Sequence, residues 1–243
     1  MRLIDTETGK FVQFFDLTKM PPYAILSHTW EPEPIGEQSY QDVVRIQKEY
    51  EKIRRACQIA RRDGYRYIWI DSACIDKTIS SELSEAINSM YNWYRCAQVC
   101  YAFLTDVPSN ENVWAEGSKF WTSRWFKRGW TLQELVACRV VVFLSKDWEG
   151  LGTKDGLADV IKRITHIDRE ILTHERALGD ESVAERMRWA AGRATTRDED
   201  EAYSLLGIFG ITMPTVYGEG KYAFQRLQEE ILQRIPDQSL LAW

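Results

Sequence analysis

No apolar run approaches the roughly eighteen residues that a membrane-spanning helix needs, and the opening MRLIDTETGKF lacks the apolar core of a secretory signal. Both absences predict a soluble protein of the cytoplasm. The five cysteines, Cys57, Cys74, Cys96, Cys100 and Cys138, are odd in number and scattered through 243 residues, which argues for reduced thiols rather than a disulfide framework. Cys96 and Cys100 lie four apart, but no histidine follows at zinc-ligand spacing, so no metal is expected. Neither sign of charge dominates: 31 Lys plus Arg against 36 Asp plus Glu leave −5, which gives no footprint for nucleic acid or an anionic membrane. Walker A and G-x-G-x-x-G patterns are missing, and Gly207-Ile-Phe-Gly210 and Tyr217-Gly-Glu-Gly220 are too short to replace them. There is no repeat and no low-complexity linker to divide the chain.

What is present is enough for a core. Hydrophobic residues make up 44% and charged residues 28%, far from the composition of a disordered chain. Tyr23–His28, Tyr67–Ile70, Val99–Leu104 and Val140–Leu144 are short β-prone apolar runs. Between them, residues 39–63 keep helical spacing and stop at Gly64, and Leu83, Ile87, Met90, Tyr91 and Tyr94 form one apolar stripe on a helix that Ser80 or Ser81 can cap. Residues 31–38 read as a loop. Strands alternating with helices predict an α/β layer with a mostly parallel sheet. Beyond Ser145 the strands are expected to cease, with helices near 156–164, 182–192, 199–208 and 221–233, the second opened by a Ser182/Glu185 capping box. The chain thus divides into a sheet core, 1–150, and a helical extension, 151–243, packed on it as one domain.

In an open parallel sheet, ligands bind beyond the carboxyl ends of the strands. Those ends carry Ser27, His28 and Trp30 after the first run and Asp71, Ser72 and Cys74 after the second. The same residues serve equally as turn formers. Aromatic residues are abundant, at 10 Trp, 11 Tyr and 9 Phe, and are densest between Phe120 and Val136, where they interleave with Arg124, Lys127 and Arg128. That pattern either stacks a base and holds a phosphate, or wedges a loop against the core with the charges in water; spacing alone favours the wedge. Thr131 can cap a helix with Glu134 in its first turn, where a carboxylate would merely face the dipole. Cys74 near His28 also raises a thiolate nucleophile, although no cysteine-protease signature surrounds it.

Longer motifs identify a family. Tyr23-Ala-Ile-Leu-Ser-His-Thr-Trp30, Tyr67-Ile-Trp-Ile-Asp71 with Cys74-Ile-Asp-Lys77, Glu82-Leu-Ser-Glu-Ala-Ile-Asn-Ser-Met-Tyr91 and Ser123 to Leu135 resemble the heterokaryon incompatibility (HET) domain of filamentous fungi. So do Ala194 to Asp200, Tyr203 to Phe209, Met213 to Gly220 and Asp237 to Trp243, so the resemblance spans nearly the whole chain. It implies a domain that triggers cell death when genetically different hyphae fuse, held in check by a regulatory domain or partner protein.

A second, remote resemblance bears on chemistry. Strand–Ser, strand–Asp, a Glu-Leu-x-x-Ala-Ile helix, then Ser-x-Trp and Trp-x-x-x-Glu-Leu is similar to Toll/interleukin-1 receptor (TIR) domains, whose box glutamate cleaves NAD. The resemblance implies a TIR-like, flavodoxin-like sheet, with Trp130 as the box tryptophan and Glu134 as catalytic residue, although Ser123 lies seven residues before Trp130 instead of two. NAD would be substrate, with no cofactor required, because nicotinamide leaves as a neutral molecule and one carboxylate suffices. Trp30 or Trp130 would hold a ring and Arg124 or Arg128 the pyrophosphate. TIR enzymes also complete their sites between subunits, which implies homotypic self-association. The rival reading is a non-enzymatic assembly module that signals by recruitment.

Overall fold

The computed structural model describes residues 1–30, 39–42 and 51–242. The expected loop 31–38 and helical residues 43–50 lie outside the described residues. Seven strands form one sheet in the order β2-β1-β4-β3-β5-β6-β7. They are β1 (Arg2–Asp5), β2 (Phe11–Gln13), β3 (Tyr23–His28), β4 (Tyr67–Ile70), β5 (Val99–Phe103), β6 (Val141–Leu144) and β7 (Gly150–Thr153). The four central strands are parallel: Ala24 pairs with both Ile68 and Val99, and Cys100 with Val141. All six residues of β3 and all five of β5 are buried, as expected of parallel strands covered on both faces.

The first two strands and β7 were not foreseen. β1 and β2 form an antiparallel hairpin that adds to β4, and β7 adds antiparallel to β6, so strands do not cease at Ser145. Each is three or four residues long at or near a sheet edge, with an incomplete apolar pattern. Such segments carry little periodicity for a sequence to display.

Helices connect the parallel strands. The first, α1 (Glu51–Arg62), buries Ala56, Cys57, Ile59 and Ala60 against β4 and ends where Gly64, at φ +89°, turns the chain as expected. The second, α2 (Ser80–Cys96), buries Ile87, Met90 and Tyr94 of the expected stripe, but it starts after Ile79 with no side-chain cap. The third, α3 (Trp130–Ala137), is buried from Thr131 to Ala137. It packs on α2, on β3 and on the turn Arg169–Leu172. Neighbouring residues of β5 separate the two faces of the sheet, since consecutive strand side chains point oppositely. Tyr101 donates to Asp63 just past α1, whereas Cys100 meets Cys138 at the end of α3.

Past β7, the longer helices are α4 (Ala158–Thr165), α5 (Val183–Ala190) and α6 (Tyr222–Arg234), with single turns at Asp200–Tyr203 and Leu206–Phe209. Ser182 caps α5 through the Glu185 N–H, although the Glu185 carboxylate binds Arg188 and Trp189 rather than closing the box. Two seams join these helices to the sheet portion: the Gly129 N–H donates to the Ala194 carbonyl at 2.9 Å, and the Asn88 side-chain amide both accepts from and donates to the Met213 backbone at 3.1 Å. Gly207 permits the closest approach, because a Cβ there would lie 2.0 Å from Tyr91 Cβ.

Candidate functional site

The strand order reverses between β3, whose successor β4 lies on one side, and β5, which lies on the other. Open sheets leave a crevice beyond the strand ends at such a point. Ser27 and His28 end β3, Trp30 follows them, and Asp71 follows β4 directly because a one-turn helix, Asp71–Cys74, begins there. This juxtaposition brings an imidazole, an indole and a carboxylate together. Trp30 Nε1 donates to Asp71 Oδ2 at 3.0 Å, and His28 Nδ1 stands 3.8 Å from Asp71 Oδ1. Lys77 Nζ lies 3.4 Å from Asp71 Oδ2 and 3.5 Å from the centroid of the Trp30 ring.

Beside this cluster, α3 presents Glu134. The residue is 6% exposed, and its Oε2 has no hydrogen-bond partner among the described residues. Burial pushes its carboxyl up to about 8; the Asp71 charge adds to the shift, while the hydroxyls of Ser27 and Tyr94 and the Arg128 guanidinium oppose it. Glu134 is therefore no first-turn partner of a helix dipole, as the sequence had allowed. It sits in the second turn of a helix with no solvent-facing side. Thr131 is not a cap either, since its hydroxyl donates to the Trp125 and Arg128 carbonyls from inside the helix.

Three residues that the sequence did not single out shape this carboxyl's surroundings. Trp125, fully buried, donates Nε1 to Ser27 Oγ at 2.8 Å. Tyr94 donates its hydroxyl to the Leu26 carbonyl at 3.2 Å and lies next to Glu134. Arg193 donates Nη1 to the Arg128 carbonyl at 3.1 Å and to Thr131 Oγ1 at 3.3 Å, bracing the start of α3; burial lowers its pKa to about 10, opposed by the Glu134 charge. Behind α3, buried Lys154 closes the other end by donating to the Leu135 and Cys138 carbonyls, where a cation meets the negative pole of the helix. Tyr94 stood in the α2 stripe, which marked it as core and nothing more.

Other expected site residues go elsewhere. Cys74 is buried and its Sγ accepts the Ile70 N–H at 3.4 Å; burial pushes its thiol up to about 12, the opposite of an activated nucleophile. It lines a cavity of about 270 Å³ with Arg2, Glu82 and Trp93, and its carbonyl accepts from Arg2. Ser72 is buried in the same turn. Trp130 turns to the extension, where its indole bonds the Asp200 carboxylate that Tyr217 also holds. Arg124 is exposed at the end of β5, donating to Thr105 Oγ1 at 2.6 Å and, through its backbone, to Asp106 at 2.8 Å. The aromatic cluster is the wedge: Phe120, Trp125, Phe126 and Phe143 pack largely edge to face in the core. Among the described residues no three His, Cys, Asp or Glu side chains gather as metal ligands, and all five cysteines are free.

Comparison with known proteins covers these strand-end residues. Residues 23–115 match the heterokaryon incompatibility protein (HET) family. This matched segment is what the chain shares with that family. It contains Ser27, His28, Trp30, Asp71, Ser72, Cys74 and Tyr94, whereas Arg124, Arg128 and Glu134 lie past its matched end. Residues 222–243 match a domain of unknown function, DUF8212, which covers α6 and the residues after it. Vegetative incompatibility protein HET-E-1 of Podospora anserina is 46% identical over 95% of this chain, which spans 18% of that relative's length. No solved structure matches this chain. No helix among the described residues is long and apolar enough to cross a membrane.

Proposed function

We propose that this chain is the cell-death effector portion of a heterokaryon incompatibility protein, built on a TIR-like sheet, and that it hydrolyses NAD in the cytoplasm. The observation that carries the reading is the buried Glu134 carboxyl, with one oxygen unpartnered among the described residues, beside Ser27 and Asp71 at the ends of β3 and β4. In the reaction, water adds to C1′ of the nicotinamide ribose, and the C–N bonding pair leaves with nicotinamide. The products are ADP-ribose, nicotinamide and one proton. The leaving group departs neutral, so the site needs no acid and only an anion facing the oxocarbenium-like transition state.

Glu134 meets that requirement by a change of charge on binding. With a pKa of about 8, its carboxyl is largely protonated at neutral pH in the free protein. A pyridinium cation entering beside it draws that pKa down and ionises it, since an opposite charge in low dielectric favours the charged form. Trp30 supplies an indole face for the nicotinamide ring, and Arg128 a cation for the pyrophosphate. Self-association of the chain, and a separate regulatory segment or protein that restrains it, belong to the same proposal.

The test is Glu134→Gln, followed by nicotinamide release from NAD and by cell killing. Loss of one preorganised charge costs about a hundredfold or more in rate, so both activities should vanish from a protein that still folds. Cys74→Ala should remain active. If Glu134→Gln still turns over NAD, the carboxylate is misassigned. If wild type releases no nicotinamide yet kills, the chain works by assembly.

A further inference from the structure

We propose that the Trp30 ring face and the Asp71 carboxylate form a subsite for a flat organic cation, and that Lys77 is its intramolecular occupant, displaced when a pyridinium ring enters. The choice of pyridinium rests on the NAD reading above; the cation subsite itself rests on geometry. Lys77 Nζ stands 3.5 Å from the Trp30 centroid and 3.4 Å from Asp71 Oδ2, so one ammonium touches both halves of the box. Trp30 Nε1 donates to the same Asp71 oxygen at 3.0 Å, which holds the indole plane in place whether or not the lysine is there.

The neighbours of the box set its charge. Asp71 faces it directly, the His28 ring lies fully buried behind Asp71, and Glu134 approaches from α3 close enough for the Asp71 charge to act on it. With the Glu134 carboxyl held protonated by burial, the Asp71 carboxylate is the group among the described residues that welcomes a cation. The Lys77 side chain is 31% exposed and Trp30 is 38% exposed, so a long, flexible ammonium can leave for water without opening the core. A pyridinium ring replaces it with advantage, because a delocalised flat cation stacks on the indole over its whole area while an ammonium touches it at a point.

Lys77 is therefore a competitor for the Trp30 face: a ring of either charge must displace it, but only a cation then replaces its charge beside Asp71. A lysine contact of ordinary cation–π strength leaves the box vacant in about one molecule in five, and the Asp71 contact lowers that fraction further, so removing the lysine should tighten cation binding about fivefold or more. The probe is 1-methylnicotinamide, a pyridinium without ribose or phosphate, with uncharged nicotinamide as its control. Binding is read from the Trp30 indole N–H resonance, assigned by its loss in Trp30→Phe. Lys77→Met should bind 1-methylnicotinamide about fivefold more tightly than wild type, nicotinamide should bind more weakly than 1-methylnicotinamide in both proteins, and Lys77→Arg should resemble wild type.

Unchanged or weaker binding of 1-methylnicotinamide to Lys77→Met overturns the proposal, as does a Trp30 resonance that never responds to it in either protein. Kinetics form a separate arm: with NAD, Lys77→Met should lower KM about fivefold. Absence of turnover in wild type defeats the NAD reading alone, because the 1-methylnicotinamide titration still decides the subsite.

Discussion

Trp125 donates its indole N–H to Ser27 Oγ at 2.8 Å, across 98 positions of sequence. Both residues are buried, Ser27 at the end of β3 and Trp125 in the turn Arg124–Lys127 that precedes α3. The bond occupies a lone pair of the serine oxygen and leaves its own hydrogen to turn towards Glu134. A side chain that looks like core packing thus orients the group beside the candidate catalytic carboxyl.

Removing either partner of that bond leaves the other orphaned in the interior. Ser27→Ala and Trp125→Phe should each destabilise the protein by about 1–3 kcal/mol. The double variant should lose less than the sum, because the second substitution removes a group already without its partner. Denaturant unfolding of the four proteins measures this coupling, and strict additivity would refute it.

Glu134 should imprint itself on the pH dependence of stability. Its folded pKa, about 8, lies above the unfolded carboxylate value, so between those limits the native state holds a proton that the unfolded state has released. The group's contribution is complete below the unfolded pKa and is lost as pH rises towards 8, with a slope of at most about 1.4 kcal/mol per pH unit. Glu134→Gln should remove that slope and be the more stable protein at pH 9. Parallel wild-type and variant stability curves between pH 5 and 9 would show that the carboxyl is not shifted.

Two glycines near the extension should differ sharply when replaced by alanine. At Gly207 the new methyl would meet Tyr91 Cβ at 2.0 Å, backbone-anchored carbon against backbone-anchored carbon, so α2 and the turn 206–209 must separate. A loss of about 3 kcal/mol is expected. Gly210 has φ +65° but open space around it, so alanine there costs only the left-handed conformation, about 1–2 kcal/mol. Thermal midpoints of the two variants check the order.

Turnover per chain should rise with protein concentration if neighbouring copies complete the site. A heterologous contact builds open arrays, so activity should climb over a hundredfold range of concentration rather than saturate as for a closed dimer. Nicotinamide release measured through serial dilution, with light scattering alongside, gives the answer; a flat specific activity would remove self-association from the proposal.

The alternation of strand and helix was legible because parallel strands buried on both faces read as short apolar runs and the helices between them keep a 3.6-residue period. Tyr23–His28, Tyr67–Ile70 and the stop at Gly64 needed nothing else. The strand ends were legible for the same reason, and with them Ser27, His28, Trp30 and Asp71. Direction was not. Asp71 and Cys74 share one helical turn, yet Asp71 meets Trp30 and Lys77 while Cys74 meets Ile70 and the cavity beside Arg2. Trp125 and Trp130 stand five residues apart in one aromatic cluster, yet the first reaches Ser27 and the second Asp200. Glu134 had the right residue type, but an eight-residue helix has too few turns for its pattern to reveal that every side is covered. Burial of α3 by β3, α2 and the turn at 169–172 is what raises the Glu134 pKa, and that enclosure comes from contacts between segments far apart in the chain. Local sequence sets which groups are available at a strand end; desolvation and the field of neighbouring charges, which decide their chemistry, exist only once the distant segments have packed.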